Sequence, residues 1–173
     1  MSERKPLMDV LLPADLVALA ERVVIANRAI GRRVALAESC TGGLVSAALT
    51  EIPGSSEVVE AGFVTYSNKA KIDLLGVSSE LIETFGAVST ATAWAMAQGA
   101  LSASDADIAV AITGVAGPGG GTAKKPVGTV VFAQALRGGD PEAVKAERHE
   151  FGDIGRGGIR LQAALLALEL LLP

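Results

Sequence analysis

The sequence predicts an α/β fold, a three-layer α/β/α sandwich around a mixed, mostly parallel five-stranded sheet, with residues 1–173 forming one domain. Three observations lead there. Short apolar or β-branched runs alternate with stretches whose apolar residues recur at helical spacing, and Pro/Gly/Ser clusters punctuate the joins. The composition is half hydrophobic yet only 3% aromatic, which suits an interior rich in alanine and valine. The chain is also long enough to bury a full core.

Taken in order, Leu16, Leu19, Ala20, Val23, Ala26 and Ile30 fall near helical spacing after Pro13, and Gly31 is a fitting stop. A first amphipathic helix therefore covers 14–30. In VALAESCTGG, Val34 to Gly43, a short apolar run stops at small polar residues and two glycines. This reads as a buried strand that delivers Ser39, Cys40 and Thr41 to a helix beginning near Leu44. Pro53 to Ser56 turns the chain, and Val58 to Ser67 has the Val, Phe, Thr and Tyr content of a strand. Asn68 is suited to capping the short helix NKAKIDLLG, Val77 to Gly86 forms a second, and Ser89 opens a longer one through Ala103.

The strand DIAVAITG, Asp107 to Gly114, leads into GVAGPGGGTAKKPVG, the longest irregular segment, and loops of that length in small domains are often functional. Strands follow at Gly128 to Ala135 and Lys145 to Phe151, joined by the short turn RGGDPEA and therefore antiparallel. A helix over 156–171 closes the domain. In open sheets of this kind ligands bind beyond strand ends, which brings together the loops after Ser39, Tyr66 and Gly114.

The Ser39 turn places a hydroxyl beside the unpaired N–H groups at the start of a helix, where an anion or a developing oxyanion is stabilised. A serine or threonine in that place also serves as a plain cap. To act as a nucleophile Ser39 needs a base. Lys71 suits the role: it lies in the first turn of a helix, where dipole and burial near Ile72 and Phe63 both disfavour its ammonium form. The bland alternative is a solvated lysine. His149, the only histidine, sits in the charged strand ERHEF and reads as surface decoration. Tyr66 either relays a proton or holds substrate, or else packs on the sheet. Arg156 and Arg160, one turn apart, suit a phosphate or carboxylate, or stand as solvated charge.

Composition excludes several classes. A net charge of −4, with 15 basic against 19 acidic residues, supplies no phosphate-neutralising surface for nucleic acid. One cysteine and one histidine exclude an internal disulfide and a Cys/His zinc site. The N-terminus lacks a continuous apolar signal core and the apolar C-terminus is too short to span a bilayer, so a cytoplasmic protein without membrane contact is expected. There is no GxSxG, no HExxH and no P-loop ending, and the only SxxK, Ser2 to Lys5, lies in a polar tail.

AESCTGG at Ala37 to Gly43, GSSEVVEAGFVTYSNKAK at Gly54 to Lys71, GAVS at Gly86 to Ser89 and ITGVAGPGGGTAKKPVGTV at Ile112 to Val130 resemble the C-terminal domain of CinA proteins. The resemblance runs in order over nearly the whole chain. It implies an α/β/α fold with a mixed five-stranded sheet. It also implies an amidohydrolase that converts nicotinamide mononucleotide to nicotinate mononucleotide and ammonia, in recycling of pyridine nucleotides, with no metal or organic cofactor. Ser39 then falls on the family's nucleophile, Lys71 on its base and Tyr66 on the tyrosine of VTYSN. Backbone groups from Cys40 through Thr41 and Gly42 to Gly43 hold the oxyanion. The loop with Thr113, Gly114, Ala116 and Gly117 closes over the nucleotide, and Arg156 or Arg160 meets its phosphate. The chain departs from the family at Pro118 to Gly121, where many relatives carry PDGG, and in the glycine-rich FGDIGRGGIR.

Two rival readings stand beside this one: a Ser-Lys amidase for another small amide, and a non-catalytic nucleotide-binding or interaction module of the competence/damage-inducible CinA type. The leucines of the last helix, Leu165, Leu166, Leu168, Leu170, Leu171 and Leu172, exceed what one buried face requires and suggest a homo-oligomer, a dimer in the first instance.

Overall fold

Alternation along the central strands gives the sheet two unlike faces. Val34 and Leu36, Ile108, Val110 and Ile112, and Val130 and Phe132 point one way, while Ala35, Ala37, Ala109, Ala111, Ala133 and Ala135 point the other. The computed structural model describes residues 10–173, so Ser2 to Lys5 and the start of the polar tail lie outside the described residues. Its elements are α1 (Ala14–Ala29), β1 (Val34–Glu38), α2 (Leu44–Thr50), β2 (Val59–Val64), α3 (Asn68–Leu75), α4 (Ser79–Phe85), α5 (Thr90–Ser102), β3 (Ile108–Gly114), β4 (Thr129–Leu136), β5 (Lys145–Glu150) and α6 (Arg156–Glu169).

Helices α1, α2 and α6 bury their apolar sides on the branched face, and α3, α4 and α5 on the alanine face. The alanine face lets α5 approach closely through Ala93, Met96, Ala97 and Ala100. Strand order is β2-β1-β3-β4-β5. β1 pairs parallel with β2 and β3, while β4 is antiparallel to both β3 and β5. Only β4 runs against the rest, so the sheet is mixed and mostly parallel as expected. The short β4 to β5 turn gives the expected hairpin, and the glycine-rich loop joins a second antiparallel pair, β3 and β4.

Leaving β1, the chain crosses one face through α2 to reach β2; leaving β2, it crosses the other face through α3 to α5 to reach β3. Loops from adjacent strands thus diverge and open a crevice at their carboxyl ends. The C-terminal leucines divide into buried and half-buried ones. Leu168 and Leu171 are fully buried, and Leu165, Leu166, Leu170 and Leu172 pack against the same core. Among the described residues no helix is long and apolar enough to cross a membrane.

Candidate active site

All five residues of β1 are buried, ending in Glu38. The Ser39 N–H then donates to the Ile112 carbonyl at 2.9 Å, and Gly42 N–H closes a tight turn onto the Ser39 carbonyl at 3.0 Å. Gly42 and Gly43, at φ of 58° and 98°, hold conformations that a side chain would strain. The start of α2 does not offer the free N–H groups the sequence suggested. Glu38 reaches back over the turn: Oε1 accepts from Thr41 Oγ1 at 2.7 Å and Val45 N at 3.0 Å, Oε2 from Ser46 Oγ at 2.7 Å and Ser46 N at 3.0 Å. An internal carboxylate therefore occupies the helix end. Among the described residues, the amides of Cys40, Thr41 and Gly43 have no acceptor.

Lys71 arrives from the other face of the sheet. Ser67, and not Asn68, caps α3 by accepting from Ala70 N, which sets Lys71 pointing back toward the strand ends while Lys69 pairs with Asp73 in solvent. Lys71 is 1% exposed, and its Nζ lies 2.9 Å from Ser39 Oγ, 2.8 Å from the Thr65 carbonyl and 3.4 Å from the Tyr66 carbonyl. Burial pushes its pKa below the ordinary lysine value, with Cys40 opposing the shift. Two N–H groups can satisfy the two carbonyls, which leaves the third position on nitrogen for the lone pair facing the Ser39 hydroxyl. This is the geometry of a base set against a nucleophile.

The pair opens into a cavity of about 270 Å³. Cys40, Thr113, Gly114, Ala116, Gly117 and Arg156 line it with Ser39, Lys71 and Tyr66, as the sequence suggested. Thr41, Gly42, Gly43 and Arg160 do not. Thr41 is turned to Glu38, and Arg160 lies behind the turn with Nε on the Cys40 carbonyl and Nη2 on the Thr41 carbonyl, both at 3.1 Å. Arg156 instead crosses the cavity mouth, donating through Nη1 to the Gly117 carbonyl at 2.6 Å and through Nη2 to Tyr66 Oη at 3.1 Å. Tyr66 is 62% exposed, a rim residue whose main chain, not its phenol, touches Lys71.

Sequence reasoning missed Asn68, Ala87, Val88, Val115, Gly119 and Gly120 in the lining and Glu38 beneath it. Glu38 did carry a signal, as the single charged residue of a wholly buried strand. Ala87 and Val88 gave one only as part of the GAVS stretch; Thr113 Oγ1 donates to the Ala87 carbonyl at 2.9 Å. The Cys40 thiol is pushed up to about 11 by burial, with its own backbone and the Arg160 charge opposing the rise, so it stays protonated beside the serine. His149 is remote from this chemistry, pairing with Glu147 on β5 and packing on Phe132 and Phe151.

A model of the CinA C-terminal domain matches residues 16–173. The chain belongs to the CinA C-terminal domain family. Among CinA-related sequences, it is 49% identical to the nicotinamide-nucleotide amidohydrolase PncC of Enterobacter agglomerans, over 87% of this chain and 90% of that one. It is 52% identical to a putative competence-damage inducible protein of Symbiobacterium thermophilum, over 81% of this chain but only 34% of that longer protein. Among solved structures it superimposes on the competence/damage inducible protein CihA of Agrobacterium tumefaciens with a TM-score of 0.89 and 54% identity, covering 93% of this chain and 96% of the other.

Proposed function

We propose that this CinA-type domain is an amidohydrolase that converts nicotinamide mononucleotide to nicotinate mononucleotide and ammonia. The observation that carries the proposal is the buried Lys71 Nζ at 2.9 Å from Ser39 Oγ on the floor of a cavity. The substrate comes from the printed activity of the Enterobacter relative, which this chain matches over nearly its full length. One sheet with its two helix layers spans residues 14–169, which supports reading the chain as one domain.

In this reading neutral Lys71 takes the Ser39 proton as Oγ attacks the carboxamide carbon. The amide of Cys40, which lines the cavity beside Ser39, stabilises the resulting oxyanion, and ammonia leaves with the proton returned by Lys71. Water, deprotonated by the same amine, then releases the acid. Arg156, at the cavity mouth, is the better placed of the two arginines for the nucleotide phosphate, and the loop from Thr113 to Gly117 forms the wall against the nucleoside. The single cysteine and a nucleotide substrate suit the cytoplasm. The half-buried Leu165, Leu166, Leu170 and Leu172 are the surface offered to a homo-oligomer, a dimer in the first instance.

The greater length of the Symbiobacterium relative favours one alternative, a nucleotide-binding module that works within a larger protein. Ammonia release from nicotinamide mononucleotide, with Ser39→Ala and Lys71→Ala in parallel, separates the two. Loss of about 10³-fold or more in both variants is expected. A parent that binds the nucleotide yet releases nothing would replace the enzyme by the binding module. Turnover of another small amide in its place would change the substrate.

A further inference from the structure

The GAVS stretch lies at the site without a part in the chemistry above. Ala87 and Val88 belong to the short link between α4 and α5, and both line the cavity. We propose that this link is the wall against which the ring of the substrate lies, with Val88 as a specificity-determining residue that selects an amide carried directly on a flat ring. This rests on the Ser39-Lys71 reading above and extends it to the part of the substrate next to the reacting amide.

Two hydrogen bonds place the link at the reacting end of the cavity. Ser39 N–H donates to the Ile112 carbonyl at 2.9 Å, and the next residue of β3, Thr113, donates through Oγ1 to the Ala87 carbonyl at 2.9 Å. The end of β3 is thus all that stands between the Ser39 turn and the link. Arg156 is met later along the same chain, at Gly117. In an aromatic carboxamide the scissile carbon is bonded to the ring itself. With that carbon at Ser39 Oγ, the ring meets the link, while the sugar and phosphate extend toward Arg156.

The link is held fast. Three consecutive carbonyls accept from side chains: Phe85 from Lys125 Nζ at 2.8 Å, Gly86 from Ser89 Oγ at 2.9 Å and Thr92 Oγ1 at 2.7 Å, and Ala87 from Thr113. Val88 is half-buried and packs on the alanine-face core, and its branched Cβ restricts the side chain further. A rigid ring loses little freedom on meeting a fixed apolar surface, whereas a flexible aliphatic amide must be ordered there. The wall therefore favours the ring.

The test exchanges size between wall and ring. Ammonia release is compared for the parent and Val88→Ala on nicotinamide mononucleotide and on its analogues methylated singly at each free ring carbon. On the unmethylated substrate, Val88→Ala is expected to raise KM about tenfold, the loss falling on KM and not on kcat. For the analogue whose methyl fills the space left by Val88, kcat/KM relative to the unmethylated substrate should rise at least about tenfold over the parent's ratio. Both rates come from one enzyme sample, so a loss of folded protein cancels. A ratio that keeps its parental value at every methyl position would overturn the proposal. Should Val88→Ala fail to fold, Val88→Thr keeps the shape and sets a hydroxyl in place of a methyl. A KM at least about threefold higher would then support the wall, and a parental KM would contradict it. A parent that binds these nucleotides but releases no ammonia would refute the activity alone, and the same ratio, read from dissociation constants, would decide this proposal.

Discussion

Two loops that meet at the cavity are held by different means. The Ser39 to Gly43 turn is pinned from three directions by buried or half-buried side chains: Glu38 below, Arg160 behind and Lys71 across the sheet. The loop from Val115 to Gly128 is exposed over Pro118 to Lys124; two cations tether it from outside, Arg156 at Gly117 and Arg148 at Lys124, and its own Lys125 reaches out to the Phe85 carbonyl at 2.8 Å. Under the proposed function the contrast separates chemistry from recognition. A turn locked before substrate arrives needs no reorganisation at the moment of reaction, while a surface-held loop can adjust to what enters.

Disturbing the locked turn should have the larger effect. Glu38→Gln keeps the shape but sets an amide N–H₂ against donors from Thr41 and Val45, or from Ser46. Urea unfolding should show a loss of about 2–3 kcal/mol, with activity reduced as well. A variant as stable as the parent would mean that the turn is not held as described. Disturbing the exposed loop should cost far less. Lys125→Ala is expected to raise KM by about two- to threefold, leave kcat unchanged and alter stability by less than about 0.5 kcal/mol. A tenfold fall in kcat from this substitution would erase the distinction between the two loops.

Much of this was legible in the sequence because it follows from local pattern. An apolar run ending in Ser-Cys-Thr-Gly-Gly can only be a strand entering a glycine turn, and a lysine early in the next short helix returns to the same strand ends. The strand alternation likewise gave the layers. What stayed hidden depends on contacts between distant segments. Glu38 is an intermediate case: it gave a signal as the one charge of a buried strand, but the Thr41, Val45 and Ser46 groups that satisfy it were not legible. Arg156 and Arg160 share spacing and charge, yet one meets Gly117 and the other Cys40 across 120 residues of chain. How far neighbouring elements cover the α6 leucines, Leu168 and Leu171 wholly and the others in part, could not be read from their count.

Lys71 meets the Ser39 turn at the cavity, and its charge state decides the proposed mechanism. Its folded pKa is depressed, so between that value and about 10.4 the unfolded chain binds the extra proton, and stability from this group rises with pH across the window. Activity should rise over the same range as the amine is freed. The most direct measurement is the titration of Lys71 followed by NMR of its labelled Cε, assigned with Lys71→Met, alongside kcat/KM against pH. The predicted result is a midpoint clearly below the ordinary lysine value that coincides with the ascending limb of kcat/KM. A Lys71 that titrates at or above about 10.4 while the protein is active near neutral pH would contradict the claim that this amine is the base.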